Sequence, residues 1–182
     1  MTLNTEILLE DLISRTQTNI KEAEKYSKLS IQNLNSKVDP NSWSVLECLE
    51  HLNLYGDFYL PEIKKRMEIS TTIPRENFKS GFLGNYFAMA MAPKKPLKKM
   101  KTFKDKNPIG SELDQTTISR FIKQQEVLLQ LLEKAKTVDL SKIKTAISIS
   151  KLIKLKLGDT CRVVVYHNYR HILQANKILV LK

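Results

Sequence analysis

His167 and His171 stand four residues apart, and four residues is just over one turn of an α-helix, so both imidazoles fall on one face, one above the other. That spacing lets two rings share one metal ion, and neutral imidazole is a good ligand for zinc-like divalent ions. The one remaining histidine, His51, lies on an apolar stripe with Cys48, Leu52, Tyr55 and Tyr59. A histidine alone on such a face is usually a hydrogen-bonded core residue. If its helix neighbours the one carrying the pair, the three rings meet. Three imidazoles leave at least one coordination position for water or substrate, the mark of a catalytic rather than a closed structural site. An ion held there can bring the pKa of a bound water towards about 7, or activate a thiol in the same way.

Around these three histidines several side chains have two readings. Glu47, one turn before His51, either orients that ring or acts as a base, or else it is the partner in a capping box with Ser44. Gln174 continues the face of the histidine pair and either hydrogen-bonds a ligand ring or bound water, or is a plain polar residue. Cys48 is a candidate fourth, soft ligand or a small buried hydrophobe. Tyr55 and Tyr59 line a pocket or fill the core, and Met89 to Met91 form an apolar lid or pack on the helices. The stretch from His167 to His171 does not read His-Glu-x-x-His, which excludes the zinc-protease arrangement with that glutamate as base.

The elements that must position these residues are helical. Ile7, Leu8, Leu12, Ile13, Ile20, Ala23, Leu29 and Leu34 recur at helical spacing, predicting a first helix over residues 3–34. Asp39-Pro40-Asn41-Ser42 is turn chemistry, and Ser44-Val45-Leu46-Glu47 opens a second helix running to Glu68. Prolines and glycines interrupt residues 70–110, apart from a short helix over Phe82 to Met91. A connection this long makes sense if the second and third helices run parallel, so that the chain must travel the length of a bundle. Seven lysines lie between Lys94 and Lys106, in what reads as a mobile segment. The third helix spans Ser111 to Lys136. Residues 137–157 alternate in part as a strand would, but with no evident strand partner they read as an irregular or short helical link. Gly158-Asp159-Thr160 supplies capping chemistry for a fourth helix over Cys161 to Leu179.

Composition sets the outer bounds. With 182 residues, 42% hydrophobic and 27% charged, five glycines and six prolines, the chain fits one helical domain over 1–182 and not a collagenous or turn-rich β protein. The first residues are acidic where a signal peptide would be basic, and no apolar run approaches membrane-spanning length, so the expected location is the cytoplasm, with no membrane partner. Cys48 and Cys161 are then read as reduced thiols. The net charge of +11 is uneven: residues 1–70 hold 8 Lys and Arg against 11 Asp and Glu, and residues 71–182 hold 22 against 8. Such asymmetry reads as a solvated basic face or as a polyanion-binding surface. In the lysine segment the aromatic and arginine residues that accompany single-strand recognition are sparse, with Phe103 alone, so nucleic acid ranks second.

Trp43-Ser44-Val45-Leu46-Glu47 followed by His51-Leu52, and Gly158-Asp159 leading into His167-Asn168-Tyr169-Arg170-His171-Ile172-Leu173-Gln174, is similar to the DinB/YfiT-like superfamily of metal-binding four-helix bundles, over Trp43 to Lys177. The resemblance implies an all-α, up-down-down-up bundle with a long connection between helices two and three. One histidine sits on the second helix and a pair on the last, binding a divalent ion such as zinc or nickel. It implies thiol-dependent S-transferase, isomerase or metal-dependent hydrolase chemistry on a small molecule, the co-substrate being a low-molecular-weight thiol, and a homodimer. Relatives often carry charged residues between the paired histidines, where this chain has Asn168 and Tyr169. A non-catalytic, metal-stabilised bundle or stress protein whose lysine segment binds nucleic acid is the competing expectation.

Overall fold

The computed structural model describes residues 1–93 and 101–181. It is mostly helical, with two small strand pairs. Four long helices, α1 (Thr5–Tyr26), α3 (Val45–Glu68), α5 (Thr116–Ala135) and α6 (Leu157–Val180), are joined by the short α2 (Ile31–Asn35) and α4 (Phe82–Met91). Each of α1 and α3 packs against both α5 and α6, and α4 packs on α6. Strand β1 (Thr2–Asn4) pairs antiparallel with β2 (Asn77–Lys79), Leu3 facing Phe78, which ties the start of α1 to the segment before α4. Of the lysine-rich segment, residues 94–100 lie outside the described residues, and so does most of the expected mobile stretch.

Local chemistry explains where the helices begin. The Asn4 side chain accepts from the Ile7 amide at the head of α1. At the head of α3 the Ser44 hydroxyl accepts from the Glu47 amide at 3.1 Å while the Glu47 carboxylate accepts from the Ser44 amide at 2.8 Å, the expected capping box, and α3 has the expected bounds. Four features differ from expectation, the start of the last helix among them. The first predicted helix is two helices, because Ser30 caps a new one by accepting from the Asn33 amide. The third begins at Thr116, after Asp114 accepts from the Thr116 amide at 2.8 Å. The link over 137–157 contains a β-hairpin, β3 (Lys144–Ile147) with β4 (Ser150–Lys156).

In that hairpin Thr145, Ile147 and Leu155 are buried while Lys144 and Lys154 are exposed, so the alternation was a strand signal whose partner lay a few residues along the chain. Helix α6 starts directly at the end of β4. Gly158, Asp159 and Thr160 therefore sit inside its first turn and do not precede it.

Two apolar clusters make the core. One gathers Leu8 and Leu12 of α1, Leu60 and Ile63 of α3, Leu128 and Leu132 of α5, and Val164 and Val165 of α6. The other takes Ala23 and Tyr26 of α1, Leu46 and Leu49 of α3, Phe121 of α5, and Ile172 and Ala175 of α6. On each long helix buried polar residues stand between the two sets: Thr16 and Asn19, His51 and Asn53, Gln125, and Asn168 with His171.

A buried ion pair docks α4. Arg162 and Asp159, at 2% and 0% exposure, are 3.2 Å apart. Asp159 also accepts from the Ser80 hydroxyl and, at 2.8 Å, from the Gly81 amide, and Arg162 donates to Ser80 and Asn85. A Cβ on Gly84 would lie 2.3 Å from the Asp159 carboxylate, so only glycine lets α4 approach this closely. Removing one partner strands the other charge in a dry interior. Asp159→Ala is expected to lower unfolding free energy by about 3–5 kcal/mol, measured by urea denaturation; a loss below about 1 kcal/mol would show that the guanidinium finds water or another acceptor.

Candidate metal centre

Helix α3 carries His51 one turn past its capping box, and α6 carries His167 and His171, so the contact between α3 and α6 brings the three rings together. The Nε2 atoms of His51 and of His171 each lie 3.1 Å from His167 Nε2, and the three candidate ligand atoms all lie within 4.8 Å of one another. Among the described residues they form a group able to hold a metal ion.

The other ring nitrogens of His51 and His171 are anchored. His51 Nδ1 is 2.6 Å from the Lys106 carbonyl oxygen, and His171 Nδ1 is 3.0 Å from Gln174 Oε1. A carbonyl oxygen only accepts, so each Nδ1 carries the proton and each Nε2 presents a lone pair inward. His167 can offer at most one Nε2 proton to two such lone pairs. A divalent cation satisfies all three nitrogens together. Ligands at the usual zinc–nitrogen length in a tetrahedron are about 3.4 Å apart, near the two 3.1 Å spacings to His167, and a three-imidazole donor set suits zinc- or nickel-like ions.

The surroundings keep the rings neutral, which is the ligand form. Burial pushes His51 down to about 4 and His171 to about 3. It holds His167 well below the ordinary value, with His171 and His51 adding to the effect. Trp43 stacks at a tilt, its ring centroid 4.6 Å from His51 and 5.6 Å from His171, and Tyr55 stands edge-on, 5.0 Å from His51 and 4.9 Å from His167. The segment that supplies the Lys106 carbonyl is fixed at two further points: Trp43 Nε1 donates to Asn107 at 3.1 Å, and the Gly110 amide donates to Glu47 Oε1 at 2.7 Å. Gly110 has φ +79°, which a side chain would strain.

Gln174 is placed where it can orient a ligand ring. Glu47 is not: its oxygens accept from the Ser44 amide, the Gly110 amide and Lys37 Nζ, and the orienting group for His51 is the Lys106 carbonyl. A backbone carbonyl more than fifty residues away leaves no trace in the sequence, so Lys106 could not have been found there as an anchor. Cys48 is fully buried in the apolar cluster with Leu46 and Leu49, its thiol pushed up by burial, and is not in the histidine group. Tyr55 and Tyr59 do line a pocket, which reaches His167 and is flanked by Ala90 and Met91 of the expected lid. Asn168 donates to Gln125, and Tyr169 faces the Arg15 guanidinium at 5.1 Å. Lys106 Nζ, counted in the lysine segment, lies 3.6 Å from Asp105 and over the Tyr55 ring.

A protein-family model described as the DinB superfamily matches residues 15–175, a span that contains all three histidines. Neither the curated proteins nor the solved structures contain a match to the chain.

Two measurements test the site. Histidines in the unfolded chain titrate near about 6.5, far above His51 and His171 in the folded, metal-free protein. In that window the unfolded state binds more protons, so stability is present above about pH 6.5 and falls on acidification, by about 1.4 kcal/mol per pH unit for each such ring. Urea midpoints of chelator-treated protein between pH 7.5 and 5 should show this decline; flat midpoints would mean solvated rings. Trp43 is the single tryptophan, so Cu2+ or Ni2+ bound beside it is expected to quench its emission with an endpoint of one ion per chain. Undiminished quenching in His167→Ala would place the ion elsewhere.

Proposed function

The chain belongs to the DinB superfamily, and from that premise we propose that it is a metal-dependent enzyme acting on a small molecule, with one divalent ion, zinc or nickel, held by His51, His167 and His171. The favoured reaction is transfer of a low-molecular-weight thiol to a small electrophile, with hydrolysis as the neighbouring chemistry. One observation carries the reading: three inward-facing Nε2 atoms converge at His167, and His167 also lines the pocket beside them. A closed structural site would have no such opening.

The fold is read as an up-down-down-up bundle. Supporting this, one apolar cluster draws on the N-terminal halves of α1 and α6 and the C-terminal halves of α3 and α5, and the segment between α3 and α5 is long enough to return along the bundle.

When bound, the ion supplies a Lewis acid that favours the deprotonated form of a thiol or water. The chain's own residues prepare the site. The Lys106 carbonyl and Gln174 keep the protons of His51 and His171 on Nδ1, burial keeps the rings uncharged, and Trp43 and Tyr55 wall their flanks against water. The rings are thus held in ligand form and orientation before an ion arrives, so little reorganisation accompanies loading.

Plasma mass spectrometry on untagged protein is expected to find about one ion per chain, lost in His51→Ala, His167→Ala and His171→Ala. Gln174→Ala should retain the site with affinity weakened by about 10–100-fold. In a screen of thiol consumption with small electrophiles, wild type is expected to turn over and the histidine variants are not. Protein that stays metal-free after incubation with zinc and nickel would sink the proposal.

A further inference from the structure

Beside the histidine nitrogens α3, α4, α6, the β3–β4 hairpin and Phe103 line a partly open cavity of about 260 Å3. Tyr55 and Tyr59, with nearly parallel rings 6.3 Å apart, form one wall. Phe87 and Met91 of α4 and Leu155 of the hairpin contribute apolar surface, and His167 stands at the edge nearest the other two histidines. Among the described residues that line it there is no Asp, Glu, Lys or Arg. Some of its polar groups are engaged within the protein: the Asn168 amide donates to Gln125, and Tyr59 Oη is 3.4 Å from both the Ser148 hydroxyl and the Ser148 amide.

Such a cavity discriminates by charge. Carboxylate or ammonium groups entering it would lose their hydration and find no counter-charge among the described lining residues, a large penalty, whereas an uncharged apolar group gains by leaving water. Size sets the other limit. An apolar cavity of about 150 Å3 accommodates benzene, so this one takes a group of about ten non-hydrogen atoms.

We propose that this cavity is the subsite for the uncharged, apolar body of the substrate, a group the size of two fused aromatic rings, whose reactive end lies at the His167 edge. The inference rests on the metal-centre reading for what happens at that edge, but binding of the apolar body does not require the ion. A charged co-substrate such as a peptide-like thiol is not the occupant.

The test uses 2-naphthol and its anionic counterpart 2-naphthoate, titrated by calorimetry into full-length protein after chelation and again after zinc loading. In the chelated protein 2-naphthol is expected to bind with a Kd below about 1 mM, and 2-naphthoate at least tenfold more weakly. Ala90→Phe and Val163→Phe each place a ring in the cavity from a position only partly buried. Each is expected to weaken 2-naphthol at least tenfold while thermal melting and zinc content stay as in wild type. Two variants from different helices guard against one of them disturbing the fold. No binding of 2-naphthol, equal binding of 2-naphthoate to the chelated protein, or unchanged affinity in both well-folded variants overturns the inference. If the protein takes up no zinc yet binds 2-naphthol and loses it in the variants, the cavity inference stands and the metal reading falls.

Discussion

Three imidazole Nε2 atoms gathered at one point inside a nearly dry helical interior are the constraint on which the rest of this structure depends. Left to themselves, rings so placed would rotate to find donors or separate to find water. They are prevented from doing so at their far ends, where His51 bonds the Lys106 carbonyl and His171 bonds Gln174. The first of these anchors is long-range, and the structure secures it repeatedly: Trp43 holds Asn107, Glu47 holds the Gly110 amide, and Gly110 takes the left-handed turn between them and α5. A capping box thus does two jobs, starting α3 and fastening the segment that orients the histidine one turn later.

What the sequence reveals and what it conceals follow from the range of each interaction. The paired spacing of His167 and His171, the stripe holding His51 and the Ser44–Glu47 box are local patterns, and the structure reproduces all of them, including the bounds of α3. The contacts that bear on the two-way readings are ones that no local pattern encodes. Cys48 and Tyr59 share one helical stripe and both are buried in apolar clusters, but Tyr59 also lines the cavity. The hairpin was legible as alternation but not as a hairpin, because a short strand pair with its turn at Ser148 and Ile149 lacks the Asn-Gly or Asp-Gly signature that would announce it. The start of α6 was displaced for a related reason: Asp159 looks like a cap, but its carboxylate is spent on Arg162, Ser80 and Gly81.

The small elements divide the work of shaping the site. The hairpin and α4 are peripheral to the four long helices, yet both contribute cavity wall, and α4 is held by the buried charge pair at the root of α6, not by an extensive apolar face of its own. Phe82 and Tyr86 of α4 remain exposed while Gly84 and Ala88 are buried. Position by small residues and ionic bonds leaves the larger side chains of α4 free to face the cavity or the solvent.

The polar residues that separate the two apolar clusters also answer a question of alignment. Leucine-rich helices can slide past one another by a turn and still bury apolar surface, so a uniform core tolerates several near-equal packings. Here such a slide in α6 would carry Asn168 away from Gln125 and its neighbours into a leucine layer, and a slide in α3 would take Asn53 from the Thr117 carbonyl it now meets. Each mismatch buries an unpaired amide. These two amide bonds therefore act as a vernier that favours one axial setting of the helices, and that setting is the one in which three histidines arrive at the same height.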